Sequence, residues 1–376
     1  MPTVPAKLSQ LLARRGGRAG RSLGPGLDLA VAVGVRSLLA RRREEAEHAA
    51  QWPERRVNLR IWSEAARACG VPLSELGGGF FELGSGAARA RVWLHVTPLD
   101  DEVALRLALD KTSTNSLLAA EGLPVPEHVS FSLADPDPAL RRVEAGGVWV
   151  VKPAGGTSSG QGTTVGVRSA EELLRASARA SRSSESQLLE RQVEGDEYRL
   201  LLLDGEPLGA VRRSAPSVAG DGVSSVAGLV RAENRRRLDA LGEAGLKLIT
   251  LDLDALLTLA REGAGPRTVP PAGTELRVKT ARSQAGRRDS EAVELGAFAE
   301  ELVEEARRAA ATLGLRLAGV DLISSDPGRS LAASGGAIVE VNGTPGLHYH
   351  YLVSNPEAAP PVAVPILKRM LEAAPA

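Results

Sequence analysis

Three oxygen-bearing side chains late in the chain, Asp321, Glu340 and Asn342, have the types and spacing to do chemistry. Two apolar runs, Ala318–Ile323 and Ala337–Val341, flank a Ser/Asp/Pro/Gly/Arg loop and read as paired strands. Side chains alternate along a strand, so Glu340 and Asn342 share one face while Val339 and Val341 take the other. Asp321 is the only acid of the partner run. Two carboxylates and an amide oxygen on one sheet face form an all-oxygen set that suits Mg²⁺ better than zinc. A solvated strand face with incidental acids is the alternative, because structural ion networks also gather charge.

Lys152 ends an apolar strand and precedes Pro153 and a glycine-rich loop, AGGTSSGQGTTVG. A lysine beside such a loop is a ready clamp for phosphate: the ammonium meets the charge and backbone N–H groups close over it. The loop is neither a Walker A box nor a dinucleotide fingerprint. Lys111 stands earlier, at the start of a helix, and is one of only six lysines against forty arginines. Glu190 ends a strand and Glu197 begins the next, an arrangement open to two readings: a purine edge with ribose hydroxyls, or an acidic surface turn. His348 and His350 at i, i+2 read first as pocket lining or packed histidines. A transition-metal site is the weaker alternative, because no cysteine lies near.

These groups need elements to hold them. Asn58–Cys69 repeats apolar residues at helical spacing, and Phe80–Leu83 with Arg89–Val96 reads as a hairpin. Asp101–Leu109 and Ser113–Glu121 read as helices, Glu127–Ser132 and Val148–Lys152 as strands. Ala170–Ser181 reads as a helix opened by the capping box Ser169-x-x-Glu172. Gln187–Glu190 is a short strand. Tyr198–Leu203 and Pro207–Arg213 form a hairpin turned at Asp204-Gly205. Val223–Gly245 is mostly helical, residues 263–292 suggest a mobile loop, and Glu291–Leu313 reads as one long amphipathic helix.

Composition bounds the class. A chain of 376 residues exceeds one core, so two or three packed parts are expected. A formal charge of zero argues against a general nucleic-acid or membrane binder. Residues 1–43 nonetheless carry nine Lys/Arg and one Asp, read here as a solvated lead-in rather than an RNA-binding tail. Cys69 is the single cysteine, which excludes an intrachain disulfide and fits a reducing cytoplasm. No apolar run is long enough for a membrane span, and Leu27–Ala40 is a poor signal peptide.

In this order the pieces resemble the ATP-grasp superfamily, from about Leu105 onward. ALDKTSTNSLLAAEGLPVPE, VVKPAGGTSSGQG, VRRSAPSVAGDGVSSVAGLV and GAIVEVNGTPGLHYH are similar to the ATP-grasp part of cyanophycin synthetases and related amino-acid ligases. FELGSGAARARVWLHVTPLDD is similar to their lead-in. The resemblance implies an α+β fold in which two subdomains clasp ATP, preceded by a small α/β N-terminal domain. The expected boundaries are 1–25 for a basic lead-in, 26–104 for that domain, 105–195 for the glycine-loop subdomain, and 196–376 for the metal-binding subdomain.

It further implies that Lys111 and Lys152 contact ATP phosphates under a loop containing Gly156, Ser158, Ser159, Gly160, Gln161 and Gly162. Glu190, Val193 and Glu197 would hold adenine and ribose, and Asp321, Glu340 and Asn342 would bind two Mg²⁺ ions. Arg213 would steady a transferred phosphate. Lys279 and Arg282 fall in a closing loop, RVKTARSQAGR, that departs from the family's TANLSTGG-like pattern. His348, after Gly346, takes the place of a basic residue near the substrate, and His350 is a candidate base for the attacking amine. The activity implied is an ATP-dependent carboxylate–amine ligase acting on amino acids or peptides, with ADP and phosphate released. Assembly of identical chains is compatible with it. The sequence ends at Ala376 without the second, Mur-ligase-like domain of cyanophycin synthetases, so a stand-alone bacterial ligase, by analogy in a natural-product pathway, is expected. A glutathione-type or D-amino-acid ligase, a small-molecule kinase and a non-catalytic nucleotide-binding regulator are the rivals.

Overall fold

Unbroken burial along Tyr198–Leu203 and Leu317–Leu322 places the centre of the molecule: both runs are buried on two faces, as strands covered on both sides must be. The computed structural model describes residues 54–155, 160–239 and 248–372. The expected lead-in 1–25, residues 26–53 of the expected N-terminal domain, and Gly156, Ser158 and Ser159 lie outside them. Pro53–Ala376 forms one compact unit.

Helix α1 (Glu54–Cys69) precedes an antiparallel meander of β1 (Leu73–Gly77), β2 (Phe80–Ser85) and β3 (Ala88–Trp93). Helices α2 (Glu102–Leu109) and α3 (Lys111–Ala120) follow, then β4 (His128–Ser132), α4 (Asp137–Glu144), β5 (Trp149–Pro153), β6 (Thr164–Val167), α5 (Ala170–Ala180) and β7 (Ser186–Arg191). The hairpin of β8 (Asp196–Leu203) and β9 (Glu206–Arg213) leads through β10 (Ser217–Ala219), α6 (Val226–Asp239), α7 (Leu253–Arg261) and β11 (Glu275–Arg277) to β12 (Ser290–Val293). Next come α8 (Glu300–Thr312), β13 (Leu317–Ser324), α9 (Leu331–Ser334), β14 (Ala337–Asn342) and α10 (Ala363–Glu372).

Two antiparallel sheets carry the candidate site. One has the order β4-β7-β5-β6, with α4 and α5 packed over its apolar face. The other has the order β12-β9-β8-β13-β14. Its even-numbered side chains on the two central strands, Leu200, Leu202, Val320 and Leu322, pack beneath α8 and against α2 and α3. Odd-numbered Leu201, Leu203 and Leu317 point the other way, into a core shared by α1, the meander and α10. Farther along that second face the pattern turns polar, with Glu197, Arg199, Arg213 and Asp321.

Local signals explain several boundaries. Ser169 caps α5 by accepting the Glu172 amide at 3.2 Å, while the Glu172 carboxylate accepts the Arg168 amide at 2.7 Å. Asp204 and Gly205 adopt positive φ (50° and 85°), as a two-residue hairpin turn demands. Two expectations are corrected. Residues 263–292 are not one loose loop: β11 pairs with β10, and β12 adds an edge strand to β9. The helix expected from Glu291 begins at Glu300, because Ser290–Val293 is used as that strand. Residues 217–278 also build a small core of their own around Val226, Ile249, Leu259 and Val278.

Candidate active site

Asp110 caps α3 by accepting the Ser113 amide at 2.8 Å, which fixes the first turn and with it Lys111. The Lys111 ammonium lies 3.2 Å from Glu340 on β14. Lys152, on β5, is buried with Glu190 of the neighbouring strand at 2.6 Å and donates to the Val339 carbonyl at 3.2 Å. Asn115 of α3 donates to the same Glu190 carboxylate at 2.8 Å. Two amines from different elements thus meet consecutive residues of β14, the edge strand of the five-stranded sheet.

Beside them, cross-strand register assembles a network. Asp321 faces Glu340 on one side and Arg199 on the other, while Glu197 faces Arg213. Arg199 grips Asp321 through two parallel bonds of 2.6 Å, and Arg213 adds a contact of 2.9 Å. Arg213 also pairs with Glu197, and Arg282 lies 3.9 Å from that carboxylate while donating to the Gly195 carbonyl at 2.7 Å. The Tyr349 ring lies 5.0 Å from the Arg199 guanidinium carbon and 5.7 Å from that of Arg213. Burial pushes the Asp321 carboxyl up, but the two arginines outweigh it and hold it below the usual carboxylate range. Three guanidinium groups against two carboxylates leave one positive charge in excess, a field that favours an anion. Among the described residues the buried Arg213 Nε has no hydrogen-bond partner, a donor that is costly unless a ligand accepts from it.

The residues expected from the sequence fall into three groups. Lys111, Lys152, Glu190, Glu340, Asn342, Asp321, Glu197, Arg213 and Arg282 belong to these two adjoining clusters. Gly160 and Gly162 hold positive φ between β5 and β6, and a Cβ on Gly162 would stand 2.8 Å from the Pro153 ring. Gln161 is exposed beside them, and Val193 is half-buried in the segment joining β7 to β8. Gly346 precedes the turn carrying His348, and a Cβ there would meet the His348 ring at 2.7 Å.

Two further expected residues, Lys279 and His350, are deeply buried. Lys279 makes a buried ion pair of 2.5 Å with Asp252, so its charge is already engaged away from the arginine network. His350 is fully buried; desolvation, reinforced by Arg199 and Arg213, lowers its pKa to about 3. An imidazole that holds a proton so weakly is a poor base for an amine. Arg199, Asn115 and Tyr349 were not anticipated. Arg199 had a signal, because it sits two residues after Glu197 on one strand and must share its face.

The oxygen donors can be tested for a metal. Asp321, Glu340 and Asn342 offer only carboxylate and amide oxygens, the chemistry of a hard dication. The Asn342 amide nitrogen donates to the Gly319 carbonyl at 3.2 Å and to Asp321 at 3.3 Å. Both oxygens of Asp321 are held by arginine, and among the described residues no three His, Cys, Asp or Glu side chains gather as a metal cage. Glu340 and Asn342 keep the oxygen chemistry of Mg²⁺, which commonly takes one or two carboxylates and completes its shell with substrate phosphates, while Asp321 is engaged by arginine.

No family model matches the chain. Over 286 residues it is 33% identical to a cyanophycin synthetase of Nostoc sp., a match covering 75% of this chain and 31% of that protein. Over 265 residues it is 28% identical to a bifunctional glutathione biosynthesis protein of Mannheimia succiniciproducens, covering 68% and 34% respectively. Its fold is similar to that of a bifunctional glutathione synthetase from Pasteurella multocida, with a TM-score of 0.51 and 23% identity over 82% of this chain and 44% of that one. The chain therefore spans only about a third of the curated relatives' length. Its α+β architecture of two sheets meeting at the lysine and arginine clusters is an ATP-grasp fold, and over three quarters of its length its sequence is similar to that of cyanophycin synthetase.

Proposed function

We propose that the chain is an ATP-dependent carboxylate–amine ligase that joins an amino acid or peptide to an amine, releasing ADP and phosphate. The observation that carries this reading is the convergence of Lys111 and Lys152 on β14, beside a network with excess positive charge. A carboxylate is a poor electrophile for an amine. Transfer of the γ-phosphoryl group to its oxygen forms an acyl phosphate, and attack by the amine nitrogen then breaks the C–O bond and expels phosphate. Lys111 and Lys152 would neutralise the nucleotide's phosphates, and Arg213 and Arg282 the charge spreading over the phosphoryl group. Glu340 and Asn342, with Asp321, would hold Mg²⁺, two ions by the resemblance, which supplies further charge neutralisation when bound. Aligning the reactants makes amine attack effectively intramolecular, a contribution of up to about 7–11 kcal/mol.

The glycine loop and the linker at Val193 and Glu197 would seat the nucleotide, and Gly346 and His348 would border the substrate. No helix of the described residues is long and apolar enough to cross a membrane. The single cysteine supports a reducing compartment.

A screen of amino-acid pairs with ATP and Mg²⁺, reading phosphate release and product mass, tests the reading. An amide whose formation requires both partners is the expected result. A phosphorylated acid without amide would make the chain a kinase, and nucleotide binding without ADP formation from any pair would make it a regulator.

A further inference from the structure

Two aspartates at the start of α7 hold together segments that are distant in sequence. Asp252 Oδ1 caps the helix by accepting the Ala255 amide at 3.1 Å. Its Oδ2 receives Lys279 at 2.5 Å, Arg179 of α5 at 2.7 Å and the Thr250 hydroxyl at 2.9 Å. Asp254, fully buried, accepts the Val165 amide of β6 on one oxygen and the Ala281 amide on the other, each at 3.1 Å. The next turn repeats the logic. Gln284 Oε1 accepts the Thr250 amide at 2.9 Å, and Arg237 donates to the Gln284 carbonyl at 3.0 Å. Four of these bonds pin residues 279–284 to α6 and the α7 entry, and Asp252 and Asp254 carry the tie on to α5 and β6. Arg282 lies within this pinned stretch, and its guanidinium leaves it to reach the Gly195 carbonyl and Glu197.

Resting on the ligase reading above, we infer that Asp252 and Asp254 are positioning residues that fix the backbone of 279–284 so that Arg282 is aimed at the arginine–carboxylate network. Among the described residues neither aspartate bonds to that network. Their partners are Lys279, Arg179 and backbone amides, so they act through the segment that carries Arg282. On this proposal Lys279 is part of the same tie. It ties the segment to Asp252. Burial raises the Asp252 carboxyl, but Lys279 and Arg179 overcome this and keep it ionised, as the tie requires.

The experiment uses the full chain with Asp252→Asn, Arg282→Ala and the double variant, plus hydrogen exchange over residues 279–285. If Asp252 works through Arg282, each single variant lowers kcat about tenfold with little change in the KM for ATP. The double variant then falls by about the same tenfold, because the second change removes what the first had already misplaced. Exchange over 279–285 rises at least threefold in Asp252→Asn. Multiplying effects, near a hundredfold loss in the double variant, would reduce Asp252 to a general stabiliser and overturn the proposal. Unchanged exchange in that segment would overturn it whatever the kinetics. Faster exchange in a protein that forms no amide from any pair would instead defeat the ligase reading and leave the positioning intact. Should Asp252→Asn not fold, Lys279→Gln cuts the same tie while Arg179 still neutralises Asp252, and the same two readouts apply.

Discussion

Lys111 and Lys152 both face β14, but their surroundings ask different things of them. Glu340 beside Lys111 keeps 30% of its side-chain exposure, so the pair itself adds little stability, about 0–1 kcal/mol. Lys111→Met is expected to leave the melting temperature nearly unchanged while lowering ADP release by about 10²–10³-fold. Lys152 shares a dry site with Glu190, and removing it leaves a buried carboxylate with Asn115 for company. Lys152→Met should therefore cost about 3–5 kcal/mol as well as activity, measured by urea unfolding. A stable, fully active Lys111→Met protein would remove that lysine from the site. His350 offers a pH test. Its folded pKa, about 3, lies below the usual value of 6.5, so between those limits the unfolded chain binds a proton that the folded one refuses. Stability contributed by neutral His350 is whole above pH 6.5 and lost as pH falls toward 3, by at most about 1.4 kcal/mol per pH unit. His350→Asn should flatten the stability curve between pH 6 and pH 4. An unaltered slope would mean that the ring is not held neutral.

At the scale of elements, the β8–β9 hairpin was legible because its turn chemistry is local. Asp204 and Gly205 both need positive φ, and Asp204 further collects Arg316 and Arg369 from β13's entry and from α10. Gly205→Val should lower stability by about 1–2 kcal/mol in urea titration, with ATP turnover unchanged. Loss of turnover at normal stability would mean that the turn serves the site. The segment before α8 was misread for an equally physical reason. In SEAVEL the apolar residues satisfy a helical stripe and a strand alternation alike. The open edge of β9 decided the matter, since Ser290–Val293 pairs there with Arg213–Ala210. Residues 263–292 looked loose by composition, yet ion pairs and backbone bonds from α6 and α7 hold their later part in place.

Within the unit that starts at Pro53, the earlier elements are not separated from the late ones. Trp62 and Ile61 of α1 and Leu83 of β2 share a core with Ile366 and Leu367 of α10 and with Leu201, Leu203 and Leu317. Ile366→Ala, fully buried and remote from the lysines, should destabilise the protein by about 2–5 kcal/mol. Because that core is continuous with the five-stranded sheet, urea unfolding followed by tryptophan fluorescence and by circular dichroism should give one coincident transition. Two separated transitions, only one of them moved by the substitution, would show that α1 and the meander unfold independently.

What the chain alone determined was its local content. Glycine turns, capping residues and the alternation of the late strands, together with the family likeness of its motifs, identified the ATP-grasp fold and most of the charged residues that gather in it. Alternation says which face a side chain takes, and nothing about which strand lies beside it. Only the tertiary structure set Arg199 against Asp321, 122 residues away, brought Lys152 to a carbonyl 187 residues on, and tied Lys279 to Asp252. Such pairings depend on strand order and on which charges burial forces together. Those are properties of the packed molecule, because a buried charge must find a partner wherever the fold has placed one.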